Sequence, residues 1–260
     1  EGGVSINFHI IFDNQLTTSQ ILTELNSLEC FVEGGNETKL GHVQLNDRNK
    51  LSFDFFKTVE AFKKSNYLNE RFLVWVPYDE YGGIDAIDPN NDGFFKLGLL
   101  NKTQVLGSAN QKQIDFFLSE RCLTDVGKNI PCIKGSDSHA IDYPFGRLRD
   151  KDSNPIEKYC WIKADPTFFG LKQIVYEPNE RVKIQKNNPD LDFEKPFFSN
   201  IKIVADEEIF ENEKDLIFGK NKDGIPLNQN LVAIIGGRGE GKSMLTDYLA
   251  SSFVGQKNSK

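Results

Sequence analysis

The sequence predicts an α/β chain in two parts: repeated strand–helix units that argue for a parallel sheet or barrel, then a second domain that opens on a phosphate-binding loop. Three observations carry this. Apolar runs of strand length alternate with amphipathic helical stretches from Ile6 to Ile133. Residues 183–197 are polar, charged and aperiodic, as a linker is. Finally, "VAIIGGRGEGKSMLTDYL" sets a GxxxxGK(S/T) loop between an apolar run and a helical pattern.

Taken in order, Ile6–Phe12 alternates, with Ile6, Phe8, Ile10 and Phe12 on one face and Asn7, His9 and Ile11 on the other, and predicts a strand. Thr17 or Thr18 can cap a helix that carries Ile21, Leu22, Leu25 and Leu28 on one side. A polar, glycine-bearing loop is expected from Glu33 to Asp47. Leu51–Lys64 has Phe55, Val59 and Phe62 at helical spacing, and Phe72–Val76 is an apolar strand stopped by Pro77. The alternation continues with a helix near Phe94–Leu100, a strand Gln104–Leu106, a helix Gln113–Val126 and a strand Ile130–Ile133. Asp165, Pro166 and Thr167 start a helix with Leu171, Ile174 and Val175 inward, ending before Pro178. Beyond the linker come short strands Ile201–Ala205 and Leu216–Phe218, a turn at Asp223-Gly224, and the strand Leu231–Ile235 that feeds the loop.

Composition narrows the function classes. The 260 residues carry a net charge of −7, which excludes a global basic field for nucleic acid or acidic membrane, so any such contact is local. The longest apolar runs are strand-sized, and no secretory signal is visible. Cys30, Cys122, Cys132 and Cys160 lack CxxC spacing and read as reduced, buried thiols, which suits a cytoplasmic location.

Candidate chemistry sits in the loops. In parallel-strand folds the loops after strands converge on one face, and here they read "PYDEYGG", "GSAN" and "KGSDSHA". Asp137 and His139 stand at i, i+2 after a strand, so a carboxylate and an imidazole can enclose one divalent metal. Asp79 or Glu80 can bind a hard cation, although Tyr81-Gly82-Gly83 can equally be a plain turn. Gly236, Gly237, Arg238, Gly239, Glu240, Gly241, Lys242 and Ser243 form the phosphate loop. Its N–H groups and the following helix dipole favour phosphate, Lys242 reaches the outer phosphates, and Ser243 offers its hydroxyl to Mg²⁺. ATP hydrolysis also needs a metal carboxylate and a water-orienting group from later strands. Residue 1 is Glu and the single Met is Met244, so a longer parent protein is expected.

"GSDSHA", then "YPFGR", then "YCWIKADPTFFGLKQIVYEPNERV" resembles the closing part of PHP domains, the polymerase and histidinol phosphatase type, especially those fused to an SMC-like or RecF-like ATPase in TrlF-type proteins. "LNQNLVAIIGGRGEGKS" resembles the start of that ATPase. The resemblance implies a distorted (β/α)7 barrel over residues 1–182, a linker over 183–197, and the N-terminal part of an ABC/SMC-like ATPase domain over 198–260. It implies divalent ions (Mn, Zn or Fe) in the barrel with His9, Asp137 and His139 as ligands and catalytic residues, and Mg-ATP at the loop. It further implies phosphoester hydrolysis on DNA, RNA or a nucleotide, homo-oligomerisation through ATPase heads, and a role in DNA processing or antiviral defence. Where many active PHP enzymes carry a histidine after the next strand, this chain has Pro77-Tyr78-Asp79-Glu80. Two other readings therefore stand beside the hydrolase: an inactive PHP scaffold for assembly or nucleic-acid binding, and an ATPase whose output is nucleotide depletion.

Overall fold

Alternation at the start of the chain produces strand β1 over His9–Phe12 in the computed structural model. The structure describes residues 5–33, 36–136, 138, 140–150, 154–192, 197–202, 224–228 and 231–256. Thr17 caps α1 (Thr18–Ser27) in a reciprocal capping box with Gln20, which satisfies two otherwise orphaned N–H groups. The predicted loop after it is partly sheet. β2 (Glu29–Val32) pairs with β3 (Asn36–Lys39) and with β4 (Leu51–Ser52), all antiparallel. Asp54 caps α2 (Phe55–Lys64), which turns Phe55, Val59 and Phe62 inward.

The strand–helix alternation then runs as expected. β5 (Phe72–Pro77) is followed by α3 (Pro89–Lys102) and β6 (Val105–Gly107). The helix predicted over Gln113–Val126 is two helices, α4 (Gln111–Phe117) and α5 (Glu120–Val126). Ser119 makes the break, because its hydroxyl accepts the N–H of Cys122 and starts the second helix afresh. β7 (Cys132–Ile133) completes a four-stranded sheet in the order β1-β5-β6-β7. β5, β6 and β7 run parallel, and β1 lies antiparallel on the edge with His9 opposite Trp75.

One face of this sheet makes the core. Val74, Val76, Leu106 and Cys132 pack with Phe55, Val59 and Phe62 of α2, Leu99 of α3, Phe117 of α4 and Cys122 of α5. Each buried side chain of this size is worth about 1.5–3 kcal/mol of apolar transfer. Leu73, Trp75 and Val105 point to the other face, as period-two alternation requires.

Past the sheet come β8 (Arg147–Arg149), β9 (Pro155–Ile162), α6 (Phe168–Lys172), α7 (Pro178–Arg181) and β10 (Val182–Gln185). The strands form an antiparallel sheet in the order β10-β9-β8, and β10 packs against β7. The helix begun at Thr167 does stop before Pro178, continuing past α6 only as a short 3-10 turn over Gln173–Val175, and Pro178 then opens α7, where its missing N–H costs nothing. The start of the predicted linker is therefore strand, held to β9 from Val182↔Ile162 to Gln185↔Tyr159 and by the Trp161 indole N–H donated to Gln185 O at 3.1 Å. The chain divides into two compact units after Asp192.

In the second unit β11 (Asn200–Ile201) pairs antiparallel with β12 (Ile225–Pro226), and α8 spans Lys242–Gln256. Most of the predicted strands at Ile201–Ala205 and Leu216–Phe218 lie outside the described residues. Leu231–Ile235 is not a strand: among the described residues no strand pairs with it, its Leu231 N–H goes to the Asn228 side chain, and Leu231 and Ile235 are exposed. The architecture is mixed α/β with small sheets, and no closed barrel forms among the described residues. Among them, too, no helix is long and apolar enough to cross a membrane.

Candidate functional site

Parallel pairing of β5, β6 and β7 brings their three following loops to one end of the sheet. His9 reaches the same end from the opposite direction, because β1 is antiparallel and His9 is its first residue. Its ring stands edge-on to Trp75, with centroids 4.8 Å apart, and is exposed. Trp75 in turn lies over Gly107, where any Cβ would overlap the indole. That close approach explains the glycine at the end of β6.

The loop after β5 is a closed turn as well as a carrier of carboxylates. Gly83 N–H donates to Glu80 O at 2.9 Å, and Asp85 N–H to Tyr78 O at 2.9 Å. Gly82 has φ +69°, and its carbonyl accepts the N–H of Asn7 at 2.7 Å, while Asn7 Nδ2 donates to Tyr81 O. The approach to β1 thus pins this turn at the strand ends. Glu80 is committed to a partner: Lys134, one residue past β7, meets its carboxylate at 2.8 Å. The Lys134 side chain is mostly buried, so the pair links the ends of β5 and β7 across β6.

Other groups nearby are strongly perturbed. Partial burial, with Glu80 and Asp85 beside it, holds the Asp79 carboxyl above its ordinary range despite Lys134. Burial and the Asp85 carboxylate push the Tyr78 phenol up to about 12. Lys96 stands 5.6 Å from the Tyr78 ring centre and 3.8 Å from Asp85, placing a cation against both. Burial drives the Cys132 thiol up to about 12 and raises Cys160. In the loop after β6, buried Ser108 donates to Gln113 and accepts the N–H of Asn110, so this loop is closed on itself.

Asp137 and His139 lie outside the described residues. Among the described residues no group of three His, Cys, Asp or Glu side chains is placed to hold a metal. Sequence reading passed over Lys134, Tyr78 and Lys96. Lys134 had a signal, a cation directly at the exit of a strand whose loop was already under suspicion; Lys96 had none beyond its helix.

The phosphate-loop residues form a separate candidate in the second unit. Gly239 and Gly241 take φ values of +86° and +78°, which only glycine adopts without strain. Lys242 is the first residue of α8, so the loop delivers the chain directly to a helix N-terminus. Its ammonium donates to Gly236 O at 2.7 Å and to Gly237 O. The Glu240 carboxylate accepts the Gly237 N–H. Arg238 and Ser243 are exposed. Comparison of the chain with protein-family models, with curated proteins and with solved structures found no match.

Proposed function

We propose that the chain couples a metal-dependent phosphoesterase of the PHP type to an SMC-like ATPase. On this reading the open sheet is part of a distorted (β/α)7 barrel, and the second unit opens the ATPase domain. The observation that supports it most is the convergence of His9 with the loops after β5, β6 and β7, where βα folds gather their catalytic side chains. The donors fit a divalent ion: the exposed His9 imidazole, with Asp137 and His139, gives the nitrogen and oxygen set that suits Mn, Zn or Fe. Asp79 is a further donor, whereas Glu80 is held by Lys134. Such an ion acidifies a bound water and polarises a phosphoryl oxygen. The surrounding residues position and balance: Trp75 braces the His9 ring, Asn7 pins the carboxylate turn, and Lys134 offsets its negative charge.

At the loop, backbone N–H groups and Lys242 bind the outer phosphates of ATP, and Ser243 offers its hydroxyl to Mg²⁺. ATP then closes two heads of a homo-oligomer in the cytoplasm and controls access of DNA or RNA to the barrel, in DNA processing or antiviral defence. The test is metal analysis of purified protein together with hydrolysis of a chromogenic phosphodiester. Wild type holds at least about one Mn, Zn or Fe per chain. His139→Ala loses metal and activity, and Lys242→Ala keeps phosphodiesterase activity while losing ATP hydrolysis. A metal-free protein that leaves the phosphodiester intact, and whose ATP hydrolysis is untouched by His139→Ala, ends the hydrolase reading. One observation favours the scaffold reading in that event: Lys134 already supplies a cation to the loop where a ligand is needed.

A further inference from the structure

The phosphate loop holds an anion of its own. Gly237 N–H, one of the groups that would grip a phosphate, is donated to the Glu240 carboxylate. The carboxylate lies directly on the loop backbone. A methyl group on Gly236 would overlap Glu240 Oε2, and one on Gly237 would come within 3.0 Å of Oε1. The Lys242 ammonium is likewise turned inward, onto the carbonyl oxygens of Gly236 and Gly237. Both chemical partners that a phosphate needs, a backbone donor and a cation, are thus satisfied from within the loop.

We propose that Glu240 is an affinity-determining residue of the nucleotide site: its carboxylate occupies the phosphate position and must leave before a nucleotide phosphate can enter. This rests on the reading of Gly236–Ser243 as a nucleotide site. The argument is one of charge and shape. A carboxylate presents two acceptor oxygens to the N–H groups, as one face of a phosphate does, and two anions cannot share the same donors. Glu240 is exposed, so its departure breaks no packing. Its effect therefore falls on phosphate binding and not on folding.

Equilibrium binding of a fluorescent ATP analogue and of inorganic pyrophosphate, each with Mg²⁺, tests this on the full-length protein and its Glu240→Gln and Glu240→Ala variants. Both variants should bind both ligands about tenfold more tightly, the equivalent of one charge-assisted hydrogen bond no longer to be broken. A gain with pyrophosphate places the effect on phosphate and not on the base. Unchanged thermal unfolding of the nucleotide-free variants shows that the loop and helix are intact. If wild type binds ATP and neither variant gains, Glu240 is no competitor and the inference falls while the nucleotide reading stands. If no folded form binds either ligand, the nucleotide reading falls and takes this inference with it.

Discussion

Replacing Gly107 by Ala tests the packing that sets the end of the sheet. An added Cβ would lie 2.9 Å from Trp75 Cη2 and 3.0 Å from Cε2, and closer still to Cζ2. Carbon atoms pack best at about 3.5–4.0 Å, so either the indole or strand β6 must shift by roughly an ångström. Neither moves freely, since Val105 and Leu106 are wholly buried and Trp75 is braced by His9. Overpacking of this kind costs about 1–3 kcal/mol. Alanine recovers only about 0.5–1 kcal/mol of backbone entropy relative to glycine, so a net loss of about 0.5–2 kcal/mol is expected. Urea denaturation followed by far-ultraviolet circular dichroism measures it. Trp75→Leu should relieve the overlap, making the double variant more stable than the sum of the single losses predicts. A Gly107→Ala protein within about 0.5 kcal/mol of wild type, or strict additivity with Trp75→Leu, would refute the reasoning.

Burial lowers the Lys128 amine to about 8, although its Nζ donates to Asn101 O and Thr103 O. Its unfolded value is near 10.4, so the unfolded chain binds the extra proton between pH 8 and 10.4 and stability gains up to about 3 kcal/mol across that window. Lys128→Met should remove this alkaline rise in a pH series of denaturation midpoints. Burial raises the Asp13 carboxyl, but the Gln15 N–H and the Arg71 guanidinium at 2.8 Å outweigh it and hold it below its ordinary range. Its contribution is present above the unfolded value and is lost as pH falls through the lowered one, and Asp13→Asn should flatten that part of the acid limb. Lys134→Met should free Glu80 and tighten Mn²⁺ binding several-fold by calorimetry, and Glu80→Gln in the same protein should reverse the gain.

How far the sequence reached depended on whether the signal was local. β5 was legible because Phe72–Val76 is apolar throughout, as a strand buried on both faces must be. β9 was not, since Glu157 and Lys158 interrupt it and its identity as a strand comes from pairing with β10. The β2–β3 hairpin was hidden likewise by its polar Asn36–Lys39 strand. Leu231–Ile235 erred in the other direction: β-branched residues suggest a strand, but a strand exists only where a neighbour accepts its hydrogen bonds. For the candidate site, the three loops followed from strand order, whereas His9 was named only through the family resemblance and reaches them because β1 runs antiparallel. The Glu80–Lys134 pair did not, because it joins residues that only the sheet brings together.

The four cysteines are spread one to a layer: Cys30 in β2, Cys122 in α5, Cys132 in β7 and Cys160 in β9. Alkylating reagents attack only the ionised sulfur, and these groups are shielded both by packing and by suppressed ionisation. Each sulfur is therefore a separate clock for the layer that encloses it. Timed alkylation, read peptide by peptide, would rank the order in which the small hairpin sheet, the helical cover, the parallel strands and the antiparallel flank come apart.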